Sequence, residues 1–282
     1  MNSRFLPYLL IAPALVFLCV FFLYPFSLVA WQAFATDEGK LTTEYFSEMV
    51  SYWKFETTLT NTLLLAAAVI PIQLSLALLM ASMVSKMKRG RDSVLYIWTI
   101  PLGISDLAAG LIWLAIFEQT GYLSSLLHTL GLAEGQTTFL GYQNKVGLFV
   151  AVMLAEIWRA TAIMLVILVA GIGLIPKEYY EAAEVFGAGA WKRFTNVTFP
   201  LLKPSLQTAL VLRVILAFEV FAVVVALSGT QFPVLMSEVY ERQFTLRDTH
   251  VAAAYAMVIL GISIVFTLLI LWLLRVPKEA RV

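Results

Sequence analysis

Cysteine and histidine are almost missing from this sequence. Its 282 residues include one cysteine, Cys19, and two histidines, His128 and His250. A lone thiol in an apolar run forms no internal disulfide, and so few soft ligands argue against a Cys/His metal site. Charge is scarce as well. Only 13% of residues are charged and the net charge is +1, so overall charge points to neither nucleic acid nor an acidic partner. No G-x-x-x-x-G-K-[ST] and no G-x-S-x-G occurs, so nucleotide hydrolysis and serine-hydrolase chemistry are not encoded in recognisable form. No catalytic residue is assigned, and the chain reads as something other than an enzyme. What is abundant is apolar surface: 61% of residues are hydrophobic and mean hydropathy is +0.86. Soluble domains run at roughly 45–50% apolar and about 25% charged. A bilayer is the solvent that suits this composition.

A helix crosses the hydrocarbon core with about 20 mostly apolar residues. Six stretches qualify: 5–34, 57–84, 94–117, 146–175, 205–228 and 251–274. The first is too long for a signal peptide and carries Pro13 and Pro25, so it reads as an uncleaved span kinked or broken at a proline. Basic residues set the orientation. With the N-terminus in the cytoplasm, twelve fall inside: Arg4, Lys86, Lys88, Arg89, Arg91, Lys177, Lys192, Arg193, Lys203, Arg275, Lys278 and Arg281. Five fall outside: Lys40, Lys54, Lys145, Arg242 and Arg247. The expectation is an all-α, polytopic protein in the cell membrane, with both termini cytoplasmic and residues 1–282 forming one transmembrane domain.

Ionisable side chains inside spans cost about 2.5–3.5 kcal/mol each even on lenient insertion scales, so each calls for an account. Asp106, Glu118, Glu156, Arg159, Arg213 and Glu219 are the set. Glu118 sits at an outer helix end. Arg213 lies two turns into the fifth span and is expected to snorkel to the interface. Glu156 and Arg159 stand three apart on one helix face and can pair, either structurally or as a substrate contact. Glu219 falls past the midplane and reads either as a pathway residue or as a hydrogen-bonded packing group. Ile100-Pro101-Leu102-Gly103 must interrupt the third span. Trp113, Trp158, Phe218 and Phe221 could stack on sugar rings or simply anchor and pack.

The inner segment 176–204 differs from the rest. Pro176 suits the first turn of a helix, Glu178 and Glu181 suit its positive end, and Gly187 and Gly189 supply a turn. A short helix, a turn and a second short helix follow, with Tyr179, Ala183 and Phe186 on one stripe. Such a helix either docks on another protein or rests on the membrane and on the chain's own helix ends. The residues alone leave both open.

Glu181-Ala182-Ala183, then three residues to Gly187 and nine more to Val197-Thr198-Phe199-Pro200, resembles the EAA motif of ATP-binding-cassette (ABC) importer permeases. Val197 and Phe199 replace that motif's Ile and Leu. The run from Ile175 to Pro204, together with Asn61-Thr62-Leu63, Ala109-Gly110-Leu111-Ile112-Trp113 and Glu156-Ile157-Trp158, is similar to the carbohydrate-uptake branch. The first-span pattern resembles its MalF/UgpA-type subunits. One departure stands out, because Ser228-Gly229-Thr230-Gln231-Phe232-Pro233 replaces the T-G-G-G-P turn of many relatives. The resemblance implies the type I permease fold, six spans with a cytoplasmic coupling helix. It implies a second, MalG-like permease subunit, two ATP-binding cassette ATPases that hold ATP and Mg, and an extracytoplasmic solute-binding protein. No cofactor or metal is implied in this chain, and no nucleic acid; lipid surrounds it. Tyr180, Glu181, Ala182, Ala183, Phe186, Gly187 and Pro200 would carry ATPase coupling. Trp113, Glu156, Trp158, Arg159, Phe218, Glu219 and Phe221 are the pathway candidates. A secondary transporter relaying ions through Glu156, Arg159 and Glu219 is the rival reading, and an intramembrane enzyme lacks a paired nucleophile and base.

Overall fold

The computed structural model describes residues 6–133, 135 and 137–275. Arg4, Phe5, Lys278 and Arg281, used above to place the first span and the termini, lie outside the described residues. In chain order the helices are α1 (Tyr8–Phe34), α2 (Glu44–Ser51), α3 (Phe55–Val84), α4 (Arg91–Thr99) and α5 (Asp106–Phe117). There follow α6 (Tyr122–Thr129), α7 (Lys145–Gly173), α8 (Lys177–Val185), α9 (Ala190–Phe218), α10 (Ala222–Ser228), α11 (Leu235–Tyr240) and α12 (Thr249–Leu273). Among them α1, α3, α7, α9 and α12 are each long and apolar enough to cross a membrane. A bent pair, residues 91–103 and 106–129, turned through 98°, makes a sixth when counted as one span.

Local chemistry explains where these helices start, bend and stop. The Asn144 side chain accepts the Gly147 N–H at 2.9 Å and opens α7, and the Ser105 hydroxyl accepts the Ala108 N–H at 3.2 Å and opens α5. Between α4 and α5, Pro101 lacks the N–H that an α-helix would use. The chain tightens into a 3₁₀ turn at Ile100–Gly103 and then extends at Ile104. The break expected there is present.

Two other expectations need correction. The first span is not broken at a proline: a five-residue π turn, Cys19–Leu23, passes the Tyr24 N–H to the Cys19 carbonyl just before Pro25 and the helix runs on to Phe34. The same device recurs at Phe194–Thr198, where the Phe199 N–H reaches the Phe194 carbonyl just before Pro200. Shifting the bonding register one residue ahead of the ring lets the helix run through a proline that reads as a stop. Hence the second short helix of the inner segment is the opening of α9. The fifth span runs from Ala190 to Phe218 and restarts at Ala222, instead of running unbroken over 205–228.

The described chain divides into two compact units. One holds the described residues up to Glu56 together with Leu235–Leu260. Polar contacts organise it. The Arg242 guanidinium lies 4.4 Å over the Tyr52 ring and pairs with Glu48 at 3.4 Å and Asp248 at 3.1 Å. Lys54 reaches Glu241 at 3.2 Å and buried Glu238 at 3.8 Å. Burial works to lower the Lys54 pKa, and the bond to Glu241 with the Glu238 charge outweighs it, leaving the ammonium above its ordinary value. Burial lifts the Glu238 carboxyl, against the pull of Lys54. His250 stacks on Tyr45 at 4.5 Å and bonds the Gln32 carbonyl at 2.8 Å.

The second unit, Thr57–Val234 with the described residues from Gly261 onward, carries the main core. Leu65 and Val69 of α3, Leu148, Val152 and Ala155 of α7, and Val223, Val224 and Leu227 of α10 pack around Ala109 of α5. Farther along, Ala77 and Ala81, Met164 to Leu168, and Leu202 to Ala209 join α3, α7 and α9. Small residues set the closest approaches. A Cβ on Gly110 would stand 2.5 Å from the Ala226 Cβ and 3.1 Å from the Val223 Cα, so α5 and α10 touch backbone to backbone. A Cβ on Gly171 would collide with Ser205 across α7 and α9.

Gly110→Val should therefore lower stability by about 1–3 kcal/mol through overpacking against backbone that cannot yield. Gly261→Ala, whose Cβ meets nothing within 4 Å, should be neutral or mildly stabilising. Thermal unfolding in detergent micelles separates the two, and equal melting temperatures would refute the close packing.

Candidate functional site

Four charged side chains meet inside the second unit. Arg213 of α9 and Glu156 of α7 are each 1% exposed and pair at 3.0 Å. Glu156 also pairs with Arg159 one turn on, at 3.3 Å, and Arg159 pairs with Asp106 at the start of α5, at 2.8 Å. The amide of Gln73, buried on α3, closes the set. Its oxygen accepts from the Arg213 Nε, and its nitrogen donates to the Glu156 main-chain carbonyl at 2.8 Å. Charges alternate along this chain, Asp106 negative, Arg159 positive, Glu156 negative, Arg213 positive, so the cluster is neutral overall. Neutrality and multiple bonds are what a low-dielectric interior demands of buried ions. Four helices are thereby joined at one point.

The snorkelling expected of Arg213 is contradicted. Arg213 is 1% exposed and lies against Glu156 of α7 instead of turning to water. Gln73 was not singled out from the sequence; its signal was an amide in the middle of an otherwise apolar run. Asp106 was noted as ionisable, but its pairing across two helices leaves no trace in local spacing.

Of the pathway candidates, the fold pairs Glu156 with Arg159 and, separately, Trp113 with Trp158. The Trp113 ring meets Trp158 edge-on at 6.1 Å and stacks on Phe117 at 5.5 Å, against the apolar core. The other three lie at the α9–α10 break. Phe218 is buried and packs against Phe266 at 5.2 Å. Glu219 caps the end of α9 and is exposed, and Phe221, half-buried, precedes α10 in a non-helical conformation. Two spans are thus interrupted, at Ile100–Ser105 and at Glu219–Phe221, and the segments that follow them, α5 and α10, pack on each other at Gly110. Interrupted helices at membrane depth occur where backbone is buried in protein or lines a water-filled path.

The inner segment forms a second site. Pro176 precedes α8 and Glu178 lies in its first turn. Its end is a left-handed cap: Gly187 has φ of +69°, and the Ala188 N–H reaches back to the Ala183 carbonyl at 2.9 Å. One face of α8 is held to its own chain. The Tyr180 hydroxyl meets the Thr198 hydroxyl at 3.1 Å, and Glu184, one turn on, forms an ion pair with Arg193. Glu181 and Ala182 are left exposed, and so are Val185 and Phe186, at 86% and 89%. Tyr180 therefore positions the helix against α9, while its neighbours stand free for a partner.

Comparisons with known proteins agree with this architecture. Residues 73–276 match the family model described as binding-protein-dependent transport system inner membrane component. The sulfoquinovosyl glycerol transport system permease protein of Agrobacterium fabrum is 30% identical, over 98% of this chain and 92% of its own. The trehalose transport system permease protein of Mycobacterium tuberculosis is 29% identical over 81% and 75%. The sn-glycerol-3-phosphate permease protein of Agrobacterium fabrum is 27% identical over 94% and 93%. Among solved structures, a chain of a bacterial ABC transporter involved in the import of the acidic polysaccharide alginate superposes with a TM-score of 0.84, covering 97% of this chain and 96% of that one. At 21% identity this similarity concerns the fold.

Arg213→Met strands Glu156 beside a single remaining cation and should cost about 3–5 kcal/mol. Glu156→Gln combined with Arg213→Met should recover more than half of that, because both charges leave together. Denaturant unfolding in micelles measures the coupling, and strictly additive losses would show that the pair contributes nothing.

Proposed function

We infer the working of this chain from its family: it belongs to the binding-protein-dependent transport system inner membrane components and is the permease subunit of an ABC importer. It hydrolyses no ATP itself; that activity resides in partner subunits. Within this family setting, α8 is the coupling helix. We assign the exposed surface of Glu181, Ala182, Val185, Phe186 and Gly187 to a cleft on one ATPase subunit, where Glu181 makes a charge-assisted contact with a basic side chain. Ala182 and Ala183 are small enough for the partner's surface to come close. Tyr180 and the Glu184–Arg193 pair fix the helix to the foot of α9, and Pro200 follows the π turn there. Closure of ATPases loaded with ATP and Mg would then move α8 with α7 and α9 and switch the path between inward-open and outward-open. The other partners in this reading are a second permease subunit and an extracytoplasmic solute-binding protein. Both termini lie in the cytoplasm, as the count of basic residues requires.

The solute we assign is a neutral sugar. The observation that carries this is the balance of the Asp106–Arg159–Glu156–Arg213 cluster: each cation already faces a carboxylate, so none is spare for a phosphate or sulfonate. Trp113 and Trp158, 6.1 Å apart, offer ring surface suited to the apolar faces of a sugar. A trehalose permease is among the relatives, which fits. Ion coupling through Glu156 and Arg159 is not favoured, because both charges are engaged by Arg213 and Asp106.

Glu181→Lys should leave the permease in the membrane yet lower ATPase recruitment and transport by about tenfold or more, the worth of one charge-assisted contact. Undiminished transport would refute the coupling assignment. The ligand of the co-purifying binding protein tests the solute class: a neutral sugar is expected, and a phosphorylated or sulfonated one would refute it.

A further inference from the structure

A cavity of about 520 Å³ opens at the root of the coupling helix, between the end of α3, the start of α4, the end of α7 and the first turns of α8 and α9. Four cations line it, Lys86, Arg91, Lys177 and Arg193, and no carboxylate does. Among the described residues only Arg193 has an acidic partner, Glu184. Three like charges therefore line one hollow without a carboxylate partner, an arrangement that favours an anion there.

Backbone chemistry points the same way. Three helices begin at this cavity: α4 at Arg91, α8 at Lys177 and α9 at Ala190, each a lining residue. Their caps are Gly90, Pro176 and Gly189, and none supplies a side-chain acceptor. Elsewhere in the chain Ser105 and Asn144 do supply one. No side chain caps the first turns of these three helices, and their positive dipole ends lie at this cavity. The remaining wall is apolar, with Ile172, Ile175 and Phe194. Arginine beside lysine in a pocket at the end of spanning helices has the chemistry that holds lipid phosphates.

We propose that this cavity binds a phosphate-bearing anion, the headgroup of an anionic phospholipid from the surrounding leaflet, with the apolar wall taking the adjoining glycerol and acyl carbons. The bound phosphate bridges the α3–α4 turn to the foot of the coupling helix. It lies apart from the Asp106–Arg213 cluster, and it rests on the chain being in a membrane, not on the ATPase or solute assignments.

Native mass spectrometry of the assembled importer, released from nanodiscs of phosphatidylcholine with or without phosphatidylglycerol, reads lipid retained on this subunit. The wild type should hold phosphatidylglycerol in preference to phosphatidylcholine. The triple variant K86Q/R91Q/K177Q should hold it about tenfold less well or worse, and K86R/R91K/K177R should keep it. Gly173→Phe provides a second test that leaves every charge in place, since Gly173 lines the cavity and a Cβ there meets nothing within 4 Å. It should block retention by filling the space, and it decides the matter alone if the triple variant fails to assemble. Full displacement of the lipid by inorganic phosphate would make the free anion the occupant of the same site, and resistance to phosphate would make it the lipid. Equal retention of the two lipids by the wild type, or phosphatidylglycerol retention unchanged in both Q-substituted and Phe variants, would overturn the proposal.

Discussion

Removing charge from water is the cost around which this molecule is arranged. Arg213 and Glu156, 1% exposed and 3.0 Å apart, are tolerable in a membrane only because each has further partners. Gln73 engages the Arg213 guanidinium and the Glu156 main chain, and Arg159 passes the Glu156 charge on to Asp106 at the mouth of α5. Those contacts fix α3, α5, α7 and α9 to one another by bonds with direction, which apolar packing between helices in lipid does not supply. The glycines then act locally: Gly110 and Gly171 let the helices so fixed come within backbone distance.

The same helices frame the segment to which the coupling role is assigned. α7 leads directly into α8, and α9 leads directly out of it, so the Glu156–Arg213 pair ties together the two arms that carry the coupling helix. A displacement of α8 has no slack to disappear into at its root, where Tyr180 holds Thr198 and Glu184 holds Arg193. The π turn at Phe194–Thr198 keeps α9 continuous through Pro200, so the arm is one helix of 29 residues instead of two jointed pieces. At the other end the helix is interrupted at Glu219–Phe221. The paired interruptions in the third and fifth spans precede α5 and α10, which pack on each other at Gly110.

Much of this was legible in the sequence, and the reason is the length scale of each signal. Spanning segments, the break at Pro101, the pairing of Glu156 with Arg159 and the short helix after Pro176 all depend on neighbours within a turn or two. The turn at Gly187 was readable because its signal is local, and the residue there takes a φ of +69°. Arg213 was misread because its partners lie 57 and 140 residues away, at Glu156 and Gln73. The start of α9 at Ala190 was missed because a π turn, which carries the helix on to Pro200, has no residue code of its own. The cations Lys86, Arg91 and Lys177 were counted for orientation alone; that they converge on one cavity is a property of the folded chain.

The account stands or falls on which side of the membrane α8 faces and what covers it. Ala182→Cys in a Cys19→Ser background places a single thiol on the exposed face of the coupling helix. Reaction with a membrane-impermeant maleimide, measured in inverted and right-side-out vesicles with and without the ATPase subunits, reads both properties at once. Labelling from the cytoplasmic side of the permease alone, with protection once the ATPases are bound, is the predicted result. Labelling from the outer side, or equal labelling with and without the ATPases, would contradict it.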